Sequence, residues 1–279
     1  MNTPSNSILA AAAVFTILLA GVPHSASAAL SAADNAGNSA YNDGWQNGDN
    51  GGTGWGSGWV FRNGTQFSLG DSSTNGNGDS AAPFGDINTS GRAWGIGTAG
   101  NPNNFTLAGR DLSGTLDVGQ KVIFDFDNGF GGGSGSLFAV VLRNTTTSGA
   151  YESLWGFAAT GISTYYIEDT GFQSVTIPAF TDEGLHIEFT LTSATTYSVD
   201  INALGGAPTT YTGSLRTPGS GDQIIRSFSF GALDLGNSAS QTGYINNIQI
   251  VPEPSTAFFG VMAAMAGILF RRTRKARNG

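Results

Sequence analysis

The clearest structural signal in this chain is the segment LHIEFTLTSATTYSVDI, residues 185–201. Apolar side chains alternate with polar ones over residues 185–191, and the alternation returns over residues 196–201 after a short polar stretch. A period of two places successive side chains on opposite faces of a strand. Ser193 and Ala194 lie between the two runs, where a hairpin turn belongs. The segment therefore predicts an antiparallel hairpin with one buried face.

Similar strand signals recur on both sides of this hairpin, between residues 59 and 250. They are separated by turns rich in Gly, Asn, Asp and Ser, and glycine alone accounts for 42 of the 279 residues; glycine opens the backbone conformations that tight turns need. The predicted strands are 59–62, 65–69, 93–97, 105–108, 121–127, 137–142, 151–158, 164–168, 185–191, 196–201, 209–215, 224–233 and 244–251. No helical apolar period interrupts them, so the predicted fold is all-β, a two-sheet antiparallel sandwich.

The predicted sandwich domain covers residues 59–250. Residues 29–58 are rich in Gly and Asn and are predicted to form a loop segment that belongs to the same body;.

The body is acidic. Five of the twelve basic residues lie in the last nine positions, which leaves seven basic against nineteen acidic residues in residues 30–250. This charge argues against nucleic acid as a partner. The chain has no cysteine, which excludes disulfides, thiol catalysis and Cys-based zinc sites;.

The N-terminus has the pattern of a secretory signal peptide, predicted over residues 1–28. An apolar run of 13 residues, ILAAAAVFTILLA, covers residues 8–20. Ala26 and Ala28 then give the small-x-small pattern that signal peptidase accepts, so cleavage is expected after Ala28. The first seven residues carry no Lys or Arg, which departs from the usual positive start, and a buried core helix is the alternative. The expected partners are the export machinery and signal peptidase.

The C-terminal segment, residues 251–279, also has distinct parts. Val251, Pro252, Glu253, Pro254 and Ser255 come first, the uncharged run TAFFGVMAAMAGILF follows over residues 256–270, and the cluster over 271–277 contains Arg271, Arg272, Arg274, Lys275 and Arg277. The prolines stop the preceding strand. Fifteen helical residues cover roughly 22 Å, against about 30 Å of hydrocarbon, which suits transient insertion into the inner membrane. The basic cluster resists translocation and acts as the stop.

In their order, placement and spacing, these parts resemble the PEP-CTERM sorting signal, over residues 251–275. The resemblance implies a Gram-negative bacterium with an exosortase, a membrane cysteine protease or transpeptidase that acts near the Pro-Glu-Pro sequence. It also implies association with exopolysaccharide in a biofilm or floc matrix. The expected location is the cell envelope, the cell surface or the extracellular space. An ordinary C-terminal membrane anchor is the alternative for the same residues.

The body more weakly resembles the concanavalin A-like jelly-roll domains often found ahead of such tails. The shared features are Tyr41-Asn42-Asp43-Gly44-Trp45, the hairpin over residues 185–199 and the closing strand over residues 244–248. This resemblance implies a fold more than an activity.

Catalytic chemistry finds little support in the sequence. After removal of the signal peptide, His186 is the one remaining histidine, and its place on the polar face of a strand predicts a surface residue. No serine lies in a Gly-x-Ser-x-Gly pattern, and the Glu-x-Asp-x-x-Glu run of a glycoside hydrolase is missing from the sequence;. We predict no catalytic residue and no required cofactor.

Two binding sites stay open as weaker hypotheses. Asp125 and Asp127 share a strand face before a turn, and their carboxylates are weak calcium candidates because calcium prefers oxygen ligands. Trp45 and Trp55 lie near Asn and Asp in Gly-rich sequence, and they are weak candidates for stacking on a sugar. Trp59, Trp94 and Trp155 lie in predicted strands and are expected in the core.

These patterns predict an exported surface or matrix protein without enzymatic activity, sorted through its tail. A secreted lectin-like carbohydrate-binding module is the first alternative. A polysaccharide hydrolase or lyase is the second.

Overall fold

Fifteen strands form the part of the chain that the structure describes. A computed structural model describes residues 30–63, 66–74, 87–98, 105–129, 136–147, 152–160, 164–171, 173–175, 184–204, 206–235 and 241–252. The strands are β1 (Ala32–Asp34), β2 (Val60–Arg62), β3 (Phe67–Gly70), β4 (Ala93–Ile96), β5 (Phe105–Asp111), β6 (Lys121–Asp127), β7 (Leu137–Arg143), β8 (Ser153–Thr160), β9 (Thr164–Glu168), β10 (Gln173–Val175), β11 (Leu185–Leu191), β12 (Thr196–Ala203), β13 (Thr209–Ser214), β14 (Ser227–Leu233) and β15 (Gly243–Val251). Two 3₁₀ turns, Ser39–Tyr41 and Ser72–Thr74, are the only helical elements in these ranges.

The strands form two antiparallel sheets. The larger sheet has the order β13-β12-β11-β6-β15-β4-β3, and β1 pairs with β15 as well. The smaller sheet has the order β10-β9-β8-β7-β14-β5-β2. The predicted all-β, two-sheet antiparallel sandwich is therefore confirmed.

The hairpin of β11 and β12 forms as the alternation predicts. Leu185, Ile187, Phe189 and Leu191 are buried, whereas the polar residues between them are partly exposed. Leu191 pairs with Tyr197 across the hairpin. The turn is closed by the Thr192 amide, which donates a hydrogen bond to the Thr196 carbonyl at 2.9 Å.

Strand boundaries follow the sequence closely where the alternation is strong. β6, β9 and β11 begin and end at the predicted residues. The structure adds β1 and β10, each of three residues, which are too short to show a period of two. β1 lies within residues 29–58, which were predicted to be loops, and it pairs with the last strand of the body.

Aromatic side chains fill the space between the two sheets. Trp59, Trp94 and Trp155 are completely buried, as predicted. Phe126 of β6 stacks on Phe138 of β7 with ring centroids 4.7 Å apart, which joins the larger sheet to the smaller one.

Residues 1–29 and 253–279 lie outside the described residues. The predicted signal helix with its cleavage site at Ala26 and Ala28 falls there. So do Glu253, Pro254 and Ser255 of the sorting motif, the apolar run over residues 256–270 and the basic cluster over residues 271–277. Within the ranges given above, no helix has the length and apolar character needed to cross a membrane.

Candidate functional site

The C-terminal sorting motif begins where the last strand ends. β15 lies inside the larger sheet, with β6 on one side and β4 and β1 on the other. Its last residue, Val251, pairs with Lys121 and is the first residue of the motif. Val251 and Pro252 are both partly exposed. The chain therefore leaves the sheet at the point where the motif starts.

The N-terminal end of the body lies beside this exit. Ala32 of β1 pairs with Ile250 of β15, so the first described residue, Leu30, is close to the end of β15. The Gln120 side-chain amide donates a hydrogen bond to the Leu30 carbonyl at 2.8 Å. Both ends of the described chain therefore leave the same end of the sandwich.

A network of charged and polar side chains lies on the outer face of the larger sheet. The strand register brings Lys121 and Asp125 of β6 next to His186 and Glu188 of β11. His186 Nδ1 lies 2.7 Å from Asp125 Oδ1, and His186 Nε2 lies 3.4 Å from Glu188 Oε1. Lys121 Nζ lies 2.6 Å from Glu188 Oε2. Asn247 Nδ2 donates to Asp125 Oδ2 at 2.7 Å. We call these five residues the outer-face network.

The outer-face network shifts the titration of its members. The hydrogen bond to Asp125 raises the pKa of His186 above its ordinary value, and Glu188 adds to the effect. The hydrogen bond from Lys121 lowers the pKa of Glu188. The His186 side chain is 34% exposed, which agrees with its predicted place on the surface. Ion pairing and one amide–carboxylate hydrogen bond account for these contacts.

Replacing Asp125 with asparagine is expected to lower the pKa of His186, because the strongest stabilising contact of the imidazolium is removed. In the native protein this pKa lies above 6.5. Its contribution to stability is therefore complete below pH 6.5 and is lost as the pH rises through the folded-state pKa. An NMR titration of the imidazole protons of His186 measures the change.

Asp200→Asn is the matched control for this prediction. Asp200 lies opposite Glu188 on β12 and accepts a hydrogen bond from Thr210, so it carries the same charge on the same face without contacting His186. A His186 pKa that moves equally in both variants, or in neither, would contradict the assignment to Asp125.

The calcium candidates Asp125 and Asp127 have other neighbours in the structure. Both oxygens of Asp125 are engaged, one by His186 and one by Asn247. Asp127 is fully buried, and it lies opposite Tyr244 in the register of β6 and β15. No three His, Asp or Glu side chains of the described residues converge on a point that could hold a metal ion. Calcium at Asp125 and Asp127 stays a prediction.

The two tryptophans proposed for sugar stacking have packing roles. Trp45 is 5% exposed, and its ring stacks on Phe230 of β14 with centroids 5.5 Å apart. Its candidacy as an exposed sugar platform is therefore wrong, because both sides of the ring are enclosed in the core. Trp55 is partly exposed, and the Arg110 guanidinium lies 4.8 Å from its ring centroid. One face of Trp55 is thus occupied by a cation.

Sequence reasoning missed a buried ion pair beneath the glycine-rich N-terminal segment. Arg110 of β5 contacts Asp34 of β1 at 2.5 Å, and both side chains are fully buried. The Tyr41 hydroxyl donates to the same Asp34 oxygen, and Trp59 Nε1 donates to the Tyr41 hydroxyl at 3.1 Å. Burial raises the pKa of Tyr41, so its hydroxyl stays protonated and remains a donor. The motif containing Tyr41 was visible in the sequence, but neither charged partner had a local signal.

Arg110 also binds backbone carbonyl groups of the glycine-rich segment. Its guanidinium donates to the Gly51 carbonyl at 3.0 Å and to the Ser57 carbonyl at 3.1 Å. Gly54 has φ +77°, and a Cβ atom there would collide with the Ser31 carbonyl oxygen. The glycines thus allow this segment to approach β1 closely enough for Arg110 to bind it. These contacts make residues 30–58 an integral part of the sandwich.

Comparison with known proteins finds solved structures of low identity. No protein-family model matches the chain, and no curated protein matches it. An alginate lyase from Corynebacterium sp. is 14% identical, covers 62% of this chain and 82% of its own, and has a TM-score of 0.38. A legume lectin-like domain from Entamoeba histolytica is 11% identical over 67% of this chain and 90% of its own, with a TM-score of 0.39. Lectin II from Ulex europaeus is 9% identical over 69% and 97%, with a TM-score of 0.37. Likeness at this level carries no information on ligand or activity.

Proposed function

We propose that this chain is an exported protein of the cell envelope, cell surface or extracellular matrix, sorted and processed through its PEP-CTERM-like tail, and that it acts without catalysis. Its partners in this proposal are the export machinery, signal peptidase and an exosortase-type enzyme. Exopolysaccharide is the surrounding material. The body is a sandwich of the jelly-roll kind that this tail often follows.

The observation that carries the proposal is the position of the motif relative to β15. The strand keeps its pairing with β6 up to Val251, and the prolines of the motif begin at the next residue. An enzyme that cuts beyond Pro252 would therefore remove no residue of any described strand. The proline-containing segment resists strand extension, which favours an extended and accessible peptide at the cutting site.

In this proposal His186 has a charge-pairing role. Its Nδ1 is held by Asp125 and its Nε2 lies near Glu188. A histidine held in this way on the face of a sheet stabilises neighbouring carboxylates.

The test is a Glu253→Ala and Pro254→Ala double variant expressed in the source bacterium. Because the enzyme is expected to read this sequence, the full tail should be retained and the unprocessed form should become the main species. Intact-mass spectrometry of protein from the membrane, the cell surface and the medium measures both cut sites.

Pro208→Ala is the control, since Pro208 lies in the exposed turn between β12 and β13 and outside the motif. A double variant that is processed and located like the native protein would overturn the sorting proposal. An intact native chain with both ends retained in the cytosol would overturn the export proposal.

A further inference from the structure

One end of the sandwich carries both chain exits. Leu30 is bound by Gln120, and Pro252 follows the end of β15 beside Lys121. The turn between β11 and β12 lies at the same end, because the Leu191 amide donates to the Gln120 carbonyl at 3.2 Å. We call this the basal end.

The basal end also carries the two exposed large apolar side chains of the described residues. Val118 is 56% exposed and Ile224 is 41% exposed. Val118 lies two residues before Gln120, in the loop whose Gly119 amide donates to the Leu191 carbonyl at 2.7 Å. Ile224 is held close to this loop because the Leu116 amide donates to the Ile225 carbonyl at 3.0 Å. The two exposed apolar side chains therefore lie at the same end of the sandwich as the chain exits.

Chain length limits how far the basal end can lie from the tail. Three residues separate Pro252 from Thr256, where the apolar run begins. Four residue steps span at most about 14 Å even when fully extended. At the other terminus, ten steps separate Ala20 from Leu30 and span at most about 35 Å;. While the apolar segments occupy a membrane, the body is therefore held at its surface by this end.

We propose that the basal end rests on the lipid bilayer before processing, with Val118 and Ile224 at the lipid headgroups. The opposite end, which carries the turn between β12 and β13, then faces away from the membrane. This inference rests on the proposed membrane insertion of the tail. The short tether provides the orientation, and the two apolar side chains make contact with lipid favourable.

Charge at the basal end favours a neutral lipid surface for the test. Asp117 is exposed beside Val118, and it would be repelled by anionic lipid;. Asp222, close to Ile224, is paired with Arg226 at 2.5 Å, and this hydrogen bond lowers the pKa of Asp222 to about 2. Vesicles of phosphatidylcholine remove the contribution of lipid charge.

Because the chain contains no cysteine, each introduced cysteine gives a single site for a thiol-reactive label. Val118→Cys and Ala194→Cys place a fluorescent label at the basal end, and Ala207→Cys places it at the opposite end. Ala194 and Ala207 are matched, because both are exposed alanines in hairpin turns at the two ends of β12. Eight strand residues separate these turns by about 25 Å.

Each labelled full chain is reconstituted in phosphatidylcholine vesicles that contain a lipid with a nitroxide on its headgroup. Flotation reports whether the chain binds lipid, and fluorescence quenching reports which end lies near it. The expected result is severalfold stronger quenching at positions 118 and 194 than at position 207.

The outcomes separate the two claims. Flotation with equal quenching at all three positions, or with stronger quenching at position 207, would overturn the proposed orientation and leave membrane insertion of the terminal apolar segments supported. A full chain that does not float with the vesicles would overturn tail insertion and, with it, the orientation.

Discussion

Replacing Asp34 with alanine is expected to lower the free energy of unfolding by about 3–5 kcal/mol, because a buried guanidinium loses its carboxylate. Asp34 and Arg110 are both fully buried and lie 2.5 Å apart. The Tyr41 hydroxyl would lose its acceptor as well. The Gly51 and Ser57 carbonyls would still accept from Arg110, which limits the loss. Urea unfolding followed by far-ultraviolet circular dichroism measures the change.

A double variant separates the buried charge from simple loss of packing. Arg110→Met keeps an apolar stem against Trp55 and Trp59, whose rings lie beneath the guanidinium. Asp34→Ala combined with Arg110→Met should cost less than the sum of the two single variants, because no unpaired charge remains. Glu188→Ala, which breaks a partly exposed ion pair with Lys121, should have a much smaller effect;. A cost for Asp34→Ala no larger than that of Glu188→Ala would contradict the prediction.

Replacing Asn246 with alanine is expected to cost about 2–5 kcal/mol, because several buried polar groups would lose their partner together. Asn246 is fully buried. Its Oδ1 accepts from the Ala36 amide at 2.8 Å, and its Nδ2 donates to the Ile87 carbonyl at 2.8 Å and to the Arg92 carbonyl at 3.2 Å. The same urea unfolding experiment measures the loss.

Asn202→Ala is the matched control for Asn246→Ala. Asn202 is partly exposed on β12, and its side chain makes longer hydrogen bonds, at 3.2 and 3.3 Å. Because water can replace these bonds, the loss should be below about 1 kcal/mol. An equal loss in the free energy of unfolding at the two positions would contradict the proposed contribution of Asn246.

These two interactions also bear on the proposed orientation. Asp34 is the last residue of β1, and Ala36 lies two residues after it. Together they hold the N-terminal segment against β15 and β5, and so keep Leu30 beside the exit of the C-terminal tail. Weakening either contact would loosen the N-terminal exit from the basal end.

The positions of the main strands could be predicted from local sequence. In β11, a polar residue separates each pair of apolar residues, and a shift of one residue would turn the whole apolar set to solvent. The bounds of β6, β9 and β11 were accordingly predicted correctly. The three residues of β1 and of β10 contain too few positions to show such a period.

The faces of the strands were also predictable, but the neighbours across the sheets were not. Alternation placed His186 on the outer face, yet its partner Asp125 is 61 residues away and is adjacent only because β6 lies next to β11. Arg110 and Asp34 are 76 residues apart, and Asn246 and Ala36 are 210 apart. Trp45 lies in Gly-rich sequence without a period, so its burial depended on how that segment folds over the sandwich.

The difference between the features that local sequence predicts and those that it does not has one physical cause. Backbone geometry imposes a short period on each strand, and membrane partitioning depends on the composition of one continuous segment, so both leave a local signature in the chain. Pairing between distant strands depends on the free energy of the whole sandwich, in which strand order and closure of the intervening loops are set together. The strands and the proposed sorting tail were therefore readable from residues in a row. The ion pairs, the burial of Trp45 and the shared exit of the two chain ends emerged only from the assembled sheets.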